Sequence, residues 1–251
     1  MIDLRGKRAV VTGGSRGIGA ATSQLLARCG ADVAVHYRSR AAEASAMVEA
    51  LQQHGVRAMA AAAELSDRAA VDRCFDGVAA AWGGIDLMVG NAGIWPVAES
   101  AVMDMPDERW HRTMRENVDG MFYSTRAALR HMGEGGRVVL VSSTAGQRGE
   151  AMHADYGASK GAMIAFVKSL AVEVAPRGIT VNSVAPGWVD TEMCEVPFAN
   201  GGRARIASGI PVLRIATPDD IAGPIVFLCS AHARHITGEI LNVNGGSVLC
   251  G

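Results

Sequence analysis

TGGSRGIG, residues 12–19, follows the apolar run RAVV (8–11) and leads into a stretch of helical periodicity near 18–29. A strand, then a glycine loop, then a helix is the order in which such glycines carry information about the fold. Gly13 permits a tight turn, while Gly17 and Gly19 allow close approach of a phosphate and close packing of helix on strand. The start of the helix offers unpaired N–H groups and the positive end of a dipole, a ready site for a pyrophosphate. Ser15 and Ile18 complete the loop. The spacing is G-x-x-x-G-x-G rather than the commoner G-x-G-x-x-G. Arg16, a long cation, sits in the middle of a segment built to keep side chains away, and its purpose has to be found elsewhere in the chain.

The pattern set by that first unit repeats. Strand-like runs occur at 8–13, 31–37, 56–61, 85–90, 137–143, 179–187 and 239–244, with helical stretches near 18–29, 41–54, 67–82, 107–131, 156–175 and 217–231. Gly30 and Gly55 stand where helix C-terminal caps belong, and Ser66-Asp67 and Thr217-Pro218-Asp219-Asp220 read as N-terminal caps. Strands that are apolar nearly throughout belong to a sheet covered on both faces. Strict alternation of strand and helix then predicts an α/β fold: a Rossmann-type, doubly wound parallel sheet of about seven strands with helices on both faces. No composition break divides the chain, which reads as a single domain over 1–251. The irregular segment 188–216, with Pro197, Asn200-Gly201-Gly202 and Pro211, is expected to form a flap over a site.

Composition narrows the function classes. The chain has 251 residues, 24 basic and 25 acidic, a formal net charge of −1 and 49% hydrophobic residues. The basic residues are scattered, which gives no electrostatic case for nucleic acid or an anionic membrane. The start, MIDLRGKRAVV, lacks signal-peptide order, and no window reaches the length of a transmembrane helix. Cys29, Cys74, Cys194, Cys229 and Cys250 are odd in number and far apart, without metal-ligand spacing, so no metal site is expected. A cytoplasmic protein with reduced thiols fits best.

Two further constellations fall at the carboxyl edge of the expected sheet. Asn91-Ala92-Gly93 follows the fourth strand, where ligands bind in open α/β sheets, and reads as the wall of an adenine–ribose cleft. YGASK (156–160) puts Tyr156 and Lys160 at i and i+4 on one helix face, and Ser143 ends the fifth strand. The expected fold can therefore bring a hydroxyl, a phenol and an ammonium to one mouth. Free tyrosine titrates near pH 10, too high for a base at neutrality, and a neighbouring cation lowers that value.

On TGGSRGIG, NAG (91–93), Asn117 in RENVDG, Ser143 in VSSTAG, YGASK, PGWVDT (186–191) and TGEILNVNGG (237–246), the chain resembles the short-chain dehydrogenases/reductases over essentially its whole length. The resemblance implies hydride transfer between a nicotinamide cofactor and a carbonyl carbon. Ser143 would hydrogen-bond the substrate oxygen and Tyr156 would exchange a proton with it. Lys160 would bind the nicotinamide ribose and lower the Tyr156 pKa, and Asn117 would hold a water linking Lys160 to solvent. Pro186, Gly187, Val189 and Thr191 would frame the nicotinamide. Glu64, with Leu65 beside it, stands where the family commonly has an aspartate touching adenine, and Asn244 replaces another frequent aspartate. The helices at 107–131 and 156–175 would pair across subunits in a homotetramer.

Trp95, Met152, His153, Trp188 and Met193 are expected to line a pocket for an apolar ketone or secondary alcohol. Among close relatives are 3-oxoacyl-acyl-carrier-protein reductases, which hold an acidic carrier with basic residues. Arg177 matches one such position, whereas Glu134 stands where relatives often have basic residues, so a small-molecule carbonyl substrate is at least as well supported as an acyl carrier protein. An NAD(H)-dependent alcohol or sugar dehydrogenase, a halohydrin-dehalogenase-like enzyme and a non-catalytic dinucleotide sensor are further alternatives. Lys160 and the intact loop oppose the dehalogenase, and the joint presence of Ser143, Tyr156 and Lys160 opposes the sensor. NAD-specific sites place a carboxylate about twenty residues beyond the glycine loop. Here the stretch reads His36-Tyr37-Arg38-Ser39-Arg40, with none. Arg16 and Arg38, with Ser39 adding a hydroxyl beside Tyr37, are expected to hold a 2′-phosphate, which predicts NADP(H) over NAD(H).

Overall fold

The computed structural model describes residues 2–249, so Cys250 lies outside the described residues. In chain order the main elements are β1 (Arg8–Val11), α1 (Gly17–Arg28), β2 (Asp32–Tyr37), α2 (Ala41–Gln52), β3 (Ala58–Ala62), α3 (Arg68–Trp82), β4 (Ile85–Gly90), α4 (Asp107–Met114), α5 (Gly120–Arg130), β5 (Met132–Val141), α6 (Thr144–Arg148), α7 (Ala154–Val174), β6 (Thr180–Pro186), α8 (Glu195–Phe198), α9 (Gly202–Ser208), α10 (Pro218–Cys229) and β7 (Ile240–Val243). The strands form one parallel sheet in the order β3-β2-β1-β4-β5-β6-β7. The chain order reverses between β1 and β4, and the crevice at their carboxyl ends is where such sheets bind ligands.

The period of two along each strand sends alternate residues to opposite faces. Val10, Ala34, Met88, Val138 and Leu140 pack with Phe75 of α3, Met121 of α5 and Met163 of α7. Ala9, Val11, Val33, Val35, Leu87, Val89 and Val139 pack with Leu26 of α1 and Ile221 and Ile225 of α10. Both faces are therefore dry, which is why the strands read as nearly continuous apolar runs. The caps follow the sequence: Asp67 accepts from the Ala69 and Ala70 N–H groups, and Thr217 and Asp220 form a capping box on α10.

Three local features depart from the periodic reading. The strand expected at 137–143 spans Met132–Val141, so Ser143 lies beyond it as the N-cap of α6. The helix expected across 107–131 is broken between α4 and α5 by a π-helical turn at Arg115–Asp119. Segment 188–216 holds a short 3-10 turn at Glu192–Cys194, α8 and α9, with Val189 bridging in parallel to Ala216.

Candidate active site

The glycine loop is held from three sides. Gly13 N–H donates to His36 Nδ1 at 3.1 Å, and His36 Nε2 lies 3.1 Å from the Ala63 carbonyl. Both bonds hold together only when the neutral ring carries its proton on Nε2. Burial pushes the His36 pKa down to about 4 and keeps it in that form. Just after β4, Asn91 Nδ2 donates to the Thr12 and Gly13 carbonyls at 3.0 and 3.3 Å. The Asn91 and Ala92 N–H groups both donate to Thr12 Oγ1. A Cβ on Gly19 would lie 2.1 Å from the Gly13 carbonyl oxygen and 2.7 Å from Asn91 Nδ2, so backbone fills the place a side chain would take. No side chain caps the N-terminus of α1, which leaves its first N–H groups open to the crevice.

Beyond this loop lie the residues of the proton-handling group. Close packing of α6 on α7 brings Ser143 to Tyr156: a Cβ on Gly146 would stand 2.6 Å from the Lys160 carbonyl carbon. Lys160, buried, donates from Nζ to the Val141 carbonyl at 2.8 Å, and Nζ lies 5.8 Å from the centre of the Tyr156 ring. Burial lowers the Lys160 pKa to about 8. The Tyr156 phenol is pushed well above its ordinary value, first by burial and further by Glu150 and Cys194, with the Ser143 hydroxyl acting the other way. The phenol is therefore held protonated at neutral pH, which suits it to donate a proton.

Asn117 sits in the π turn and is buried. Its Oδ1 accepts from the Ile94 N–H at 2.8 Å, and its Nδ2 donates to the Ile94 carbonyl at 2.9 Å and to Ser159 Oγ at 3.0 Å. The extra residue in that turn lets one amide span the loop after β4 and the helix carrying Tyr156 and Lys160. Asp155, fully buried next to Tyr156, anchors the start of α7. Burial works to raise its pKa, but bonds from Arg109 and Thr113 hold it below the usual carboxylate range.

One cleft of about 910 Å³ contains most of the residues singled out by sequence: Gly13, Ser15, Arg16, Gly17, Ile18, Tyr37, Arg38, Ser39, Glu64, Leu65, Asn91, Ala92, Gly93, Trp95, Ser143, Tyr156, Lys160, Pro186, Gly187, Trp188, Val189, Thr191 and Met193. Gly19 and Asn117 lie behind its wall. Met152 and His153 do not line it. Met152 is exposed with φ of +65°, and its carbonyl accepts from the Ser100 N–H. His153 is buried and stacks on Trp95, with ring centres 4.8 Å apart. Of the residues expected to line a substrate pocket, these two stand outside the cleft, whereas Trp95, Ser143, Trp188 and Met193 line it.

Arg16, Arg38 and Arg40 at the rim each have a carboxylate partner. Arg16 reaches Glu192 at 2.8 Å and Arg40 reaches the same oxygen at 3.2 Å. Arg38 reaches Glu116 at 3.0 Å and Glu64 at 3.6 Å. Glu64 also accepts from Ser66 N and Oγ, so its length is used to brace the turn after β3. Asn244 proves to be a loop brace as well, with Oδ1 accepting from Gly246 N–H and Nδ2 donating to the Val248 carbonyl. Among the described residues no cluster of three His, Cys, Asp or Glu could hold a metal, and no helix is long and apolar enough to cross a membrane.

Residues 13–247 match the sequence profile of a family described as Enoyl-(Acyl carrier protein) reductase. The 3-oxoacyl-[acyl-carrier-protein] reductase of Escherichia coli K12 is 38% identical over 247 residues, 98% of each chain. The chain belongs to the short-chain dehydrogenase/reductase family. Another member, L-rhamnose 1-dehydrogenase (NAD(P)(+)) of Azotobacter vinelandii, is 36% identical, with 96% of each chain covered. A short-chain dehydrogenase from Burkholderia cenocepacia J2315, solved in complex with NADP, superimposes with a TM-score of 0.91 at 40% identity, covering 97% of this chain and 98% of that one. Membership in this oxidoreductase family agrees with the seven-stranded parallel sheet and with the open helix terminus beside the glycine loop.

Proposed function

We propose that this protein is an NADP(H)-dependent reductase of small carbonyl compounds, acting reversibly on the corresponding secondary alcohols. The observation that carries the reading is the meeting of Ser143, Tyr156 and Lys160 in the same cleft as the glycine loop. The residues present fit a dinucleotide. Backbone occupies the space of a Gly19 side chain, and the uncapped start of α1 faces the place a pyrophosphate would take. Gly13, Ser15, Arg16, Gly17, Ile18 and Gly19 would hold the phosphates, with Leu65, Asn91, Ala92 and Gly93 around the adenosine half. Pro186, Gly187, Val189 and Thr191 would lie along the nicotinamide, and Lys160 beside its ribose.

When bound, the nicotinamide supplies the hydride that a carbonyl carbon takes up. Ser143 donates a hydrogen bond to the carbonyl oxygen and orients it. Tyr156, kept protonated by burial, gives its proton to that oxygen as negative charge develops there. Lys160, linked to solvent through a water that Asn117 would hold, would return a proton toward Tyr156. In the reverse direction Tyr156 must first lose its proton, so alcohol oxidation gains more from alkaline pH than carbonyl reduction does.

Reduction of a carrier-bound 3-oxoacyl group has weaker support. Arg177 donates to the Leu129 and Met132 carbonyls, which ties it to its own subunit. We also assign the protein to the cytoplasm as a homotetramer. The test of the functional reading is oxidation of NADPH, followed at its absorbance, with a panel of ketones and aldehydes. Tyr156→Phe should lower turnover to less than about a hundredth of wild type while leaving nucleotide affinity nearly intact, since general acid catalysis is worth roughly 10²–10⁴-fold. Absence of turnover with every carbonyl and both cofactors, or a fully active Tyr156→Phe, refutes it.

A further inference from the structure

Beside the proton-handling group, α7 meets α4 and the π turn along a ladder of polar side chains. Arg109, Thr113 and Asn117 recur every four residues, and Asp155 and Ser159 recur at the same step on α7. The first rung is charged. Arg109 grips Asp155 with two nitrogens, Nε donating to Oδ2 at 3.1 Å and Nη2 to Oδ1 at 3.2 Å. Thr113 Oγ1 adds a third bond, to Oδ2 at 2.8 Å. The second rung is neutral, with Asn117 Nδ2 donating to Ser159 Oγ at 3.0 Å. Thr113, Asn117, Asp155 and Ser159 are all buried. Arg109 also donates to the Ala98 and Met152 carbonyls. It thereby ties the start of α7 to the cleft wall, and helps hold Met152 at its φ of +65°, a conformation that costs a non-glycine residue energy. Each rung ends on the residue just before one that handles the proton: Asp155 before Tyr156, Ser159 before Lys160.

We propose that Arg109, Thr113 and Asp155 are positioning residues for Tyr156: the charged rung fixes the rotation of α7 about its axis, and with it the aim of the phenol. The inference rests on the reading of Tyr156 as proton donor. Successive residues of a helix stand about 100° apart, so holding Asp155 and Ser159 toward α4 turns Tyr156 and Lys160 together toward the cleft. Apolar packing has no direction of its own and would let the helix settle at neighbouring angles. A bidentate guanidinium–carboxylate pair admits one geometry. Stability alone does not ask for such a pair, because apolar residues of similar volume in its place are often as stable or more so. Aim does ask for it. A misplacement of about 1 Å at a reacting group can cost roughly a hundredfold in rate.

The experiment replaces both charges at once, Arg109→Met with Asp155→Leu, so that neither is left buried alone. Oxidation of NADPH is followed with the carbonyl of the panel that wild type reduces fastest, beside the melting temperature and the NADPH affinity. In the double variant kcat should fall roughly 30- to 100-fold. KM and NADPH affinity should stay within about threefold of wild type, and the melting temperature within about 5 °C. In a Tyr156→Phe background the same two replacements should lower the residual turnover by less than about threefold, because no proton remains to be aimed. Thr113→Val removes one hydroxyl from the rung and should lower kcat roughly three- to tenfold, which tests the rung even where the double variant does not fold. An unchanged kcat in either folded variant overturns the assignment. So does a parallel loss of NADPH affinity, or an equal proportional loss with and without the phenol, the pattern of a part that only holds the fold together. Turnover of no carbonyl, or a fully active Tyr156→Phe, overturns it together with the functional reading.

Discussion

Replacing Arg38 or Arg16 by alanine should weaken NADPH binding far more than NADH binding. In the protein without ligand both guanidinium groups are engaged, Arg38 with Glu116 and Glu64 and Arg16 with Glu192. Their side chains are 51% and 56% exposed, so water screens these pairs and each is worth about 0–1 kcal/mol. A charge-assisted hydrogen bond to a bound 2′-phosphate is worth about 1.5–3 kcal/mol, enough to displace the glutamates and leave a net gain. Losing one arginine should therefore cost NADPH roughly 10- to 100-fold in affinity and NADH less than about threefold. Glu192→Gln frees Arg16 and Arg40 together and should tighten NADPH by up to about fivefold, with no comparable change for NADH. The measurement is calorimetric titration of both cofactors against wild type and the three variants at low and high salt. The advantage of NADPH should shrink as salt screens the arginines. Equal losses for the two cofactors, or a wild type that favours NADH, would refute the reasoning and leave Arg16 as a tether for the Glu192 turn.

His36 makes the protein sensitive to mild acid. Between its folded pKa of about 4 and the ordinary 6.5, the unfolded chain binds a proton that the folded one does not, so stability falls as pH drops through that window, by about 3 kcal/mol in all. Urea unfolding at stepped pH should show a steeper slope for wild type than for His36→Gln, and equal slopes would remove His36 as the cause. Gly19→Ala drives a methyl group into the Gly13 carbonyl, at a cost of about 1–3 kcal/mol in stability together with most of the cofactor affinity. Unchanged melting temperature and NADPH affinity in that variant would show that the loop has room. Trp110, Phe122 and Val172 are exposed on α4, α5 and α7, and two buried guanidinium nitrogens of Arg126, which lies over the Phe122 ring, lack a hydrogen-bond partner among the described residues, so these helices should pair between subunits. Light scattering at micromolar concentration should give four times the chain mass, and a monomeric mass would contradict that assembly.

What local interactions determine is written in the sequence. The period of two in the strands, the glycines at positions 13, 17 and 19, and the four-residue step from Tyr156 to Lys160 each fix backbone or side-chain direction within a few residues. Together they give a doubly wound sheet and put the glycine loop, Asn91-Ala92-Gly93, Ser143 and Tyr156 along one edge of it. The π turn left no such trace, because one extra residue in a helix hardly alters its apolar pattern, yet it is what sets Asn117 between Ile94 and Ser159. Met152 and His153 lie near Tyr156 in the chain, but backbone bonds to the Ser100 segment and stacking on Trp95 place them outside the cleft.

The arginines mark the same boundary. Their presence after the first and second strands is written in the sequence, and with it the absence of a carboxylate at the end of β2. Their partners are not. Glu192 reaches Arg16 across 176 residues of chain, and Glu116 reaches Arg38 across 78. Which acid meets which base depends on strand order, register and the path of the loops that leave the sheet at one edge. Charge acts through space, and only the folded chain fixes distances between segments far apart in sequence.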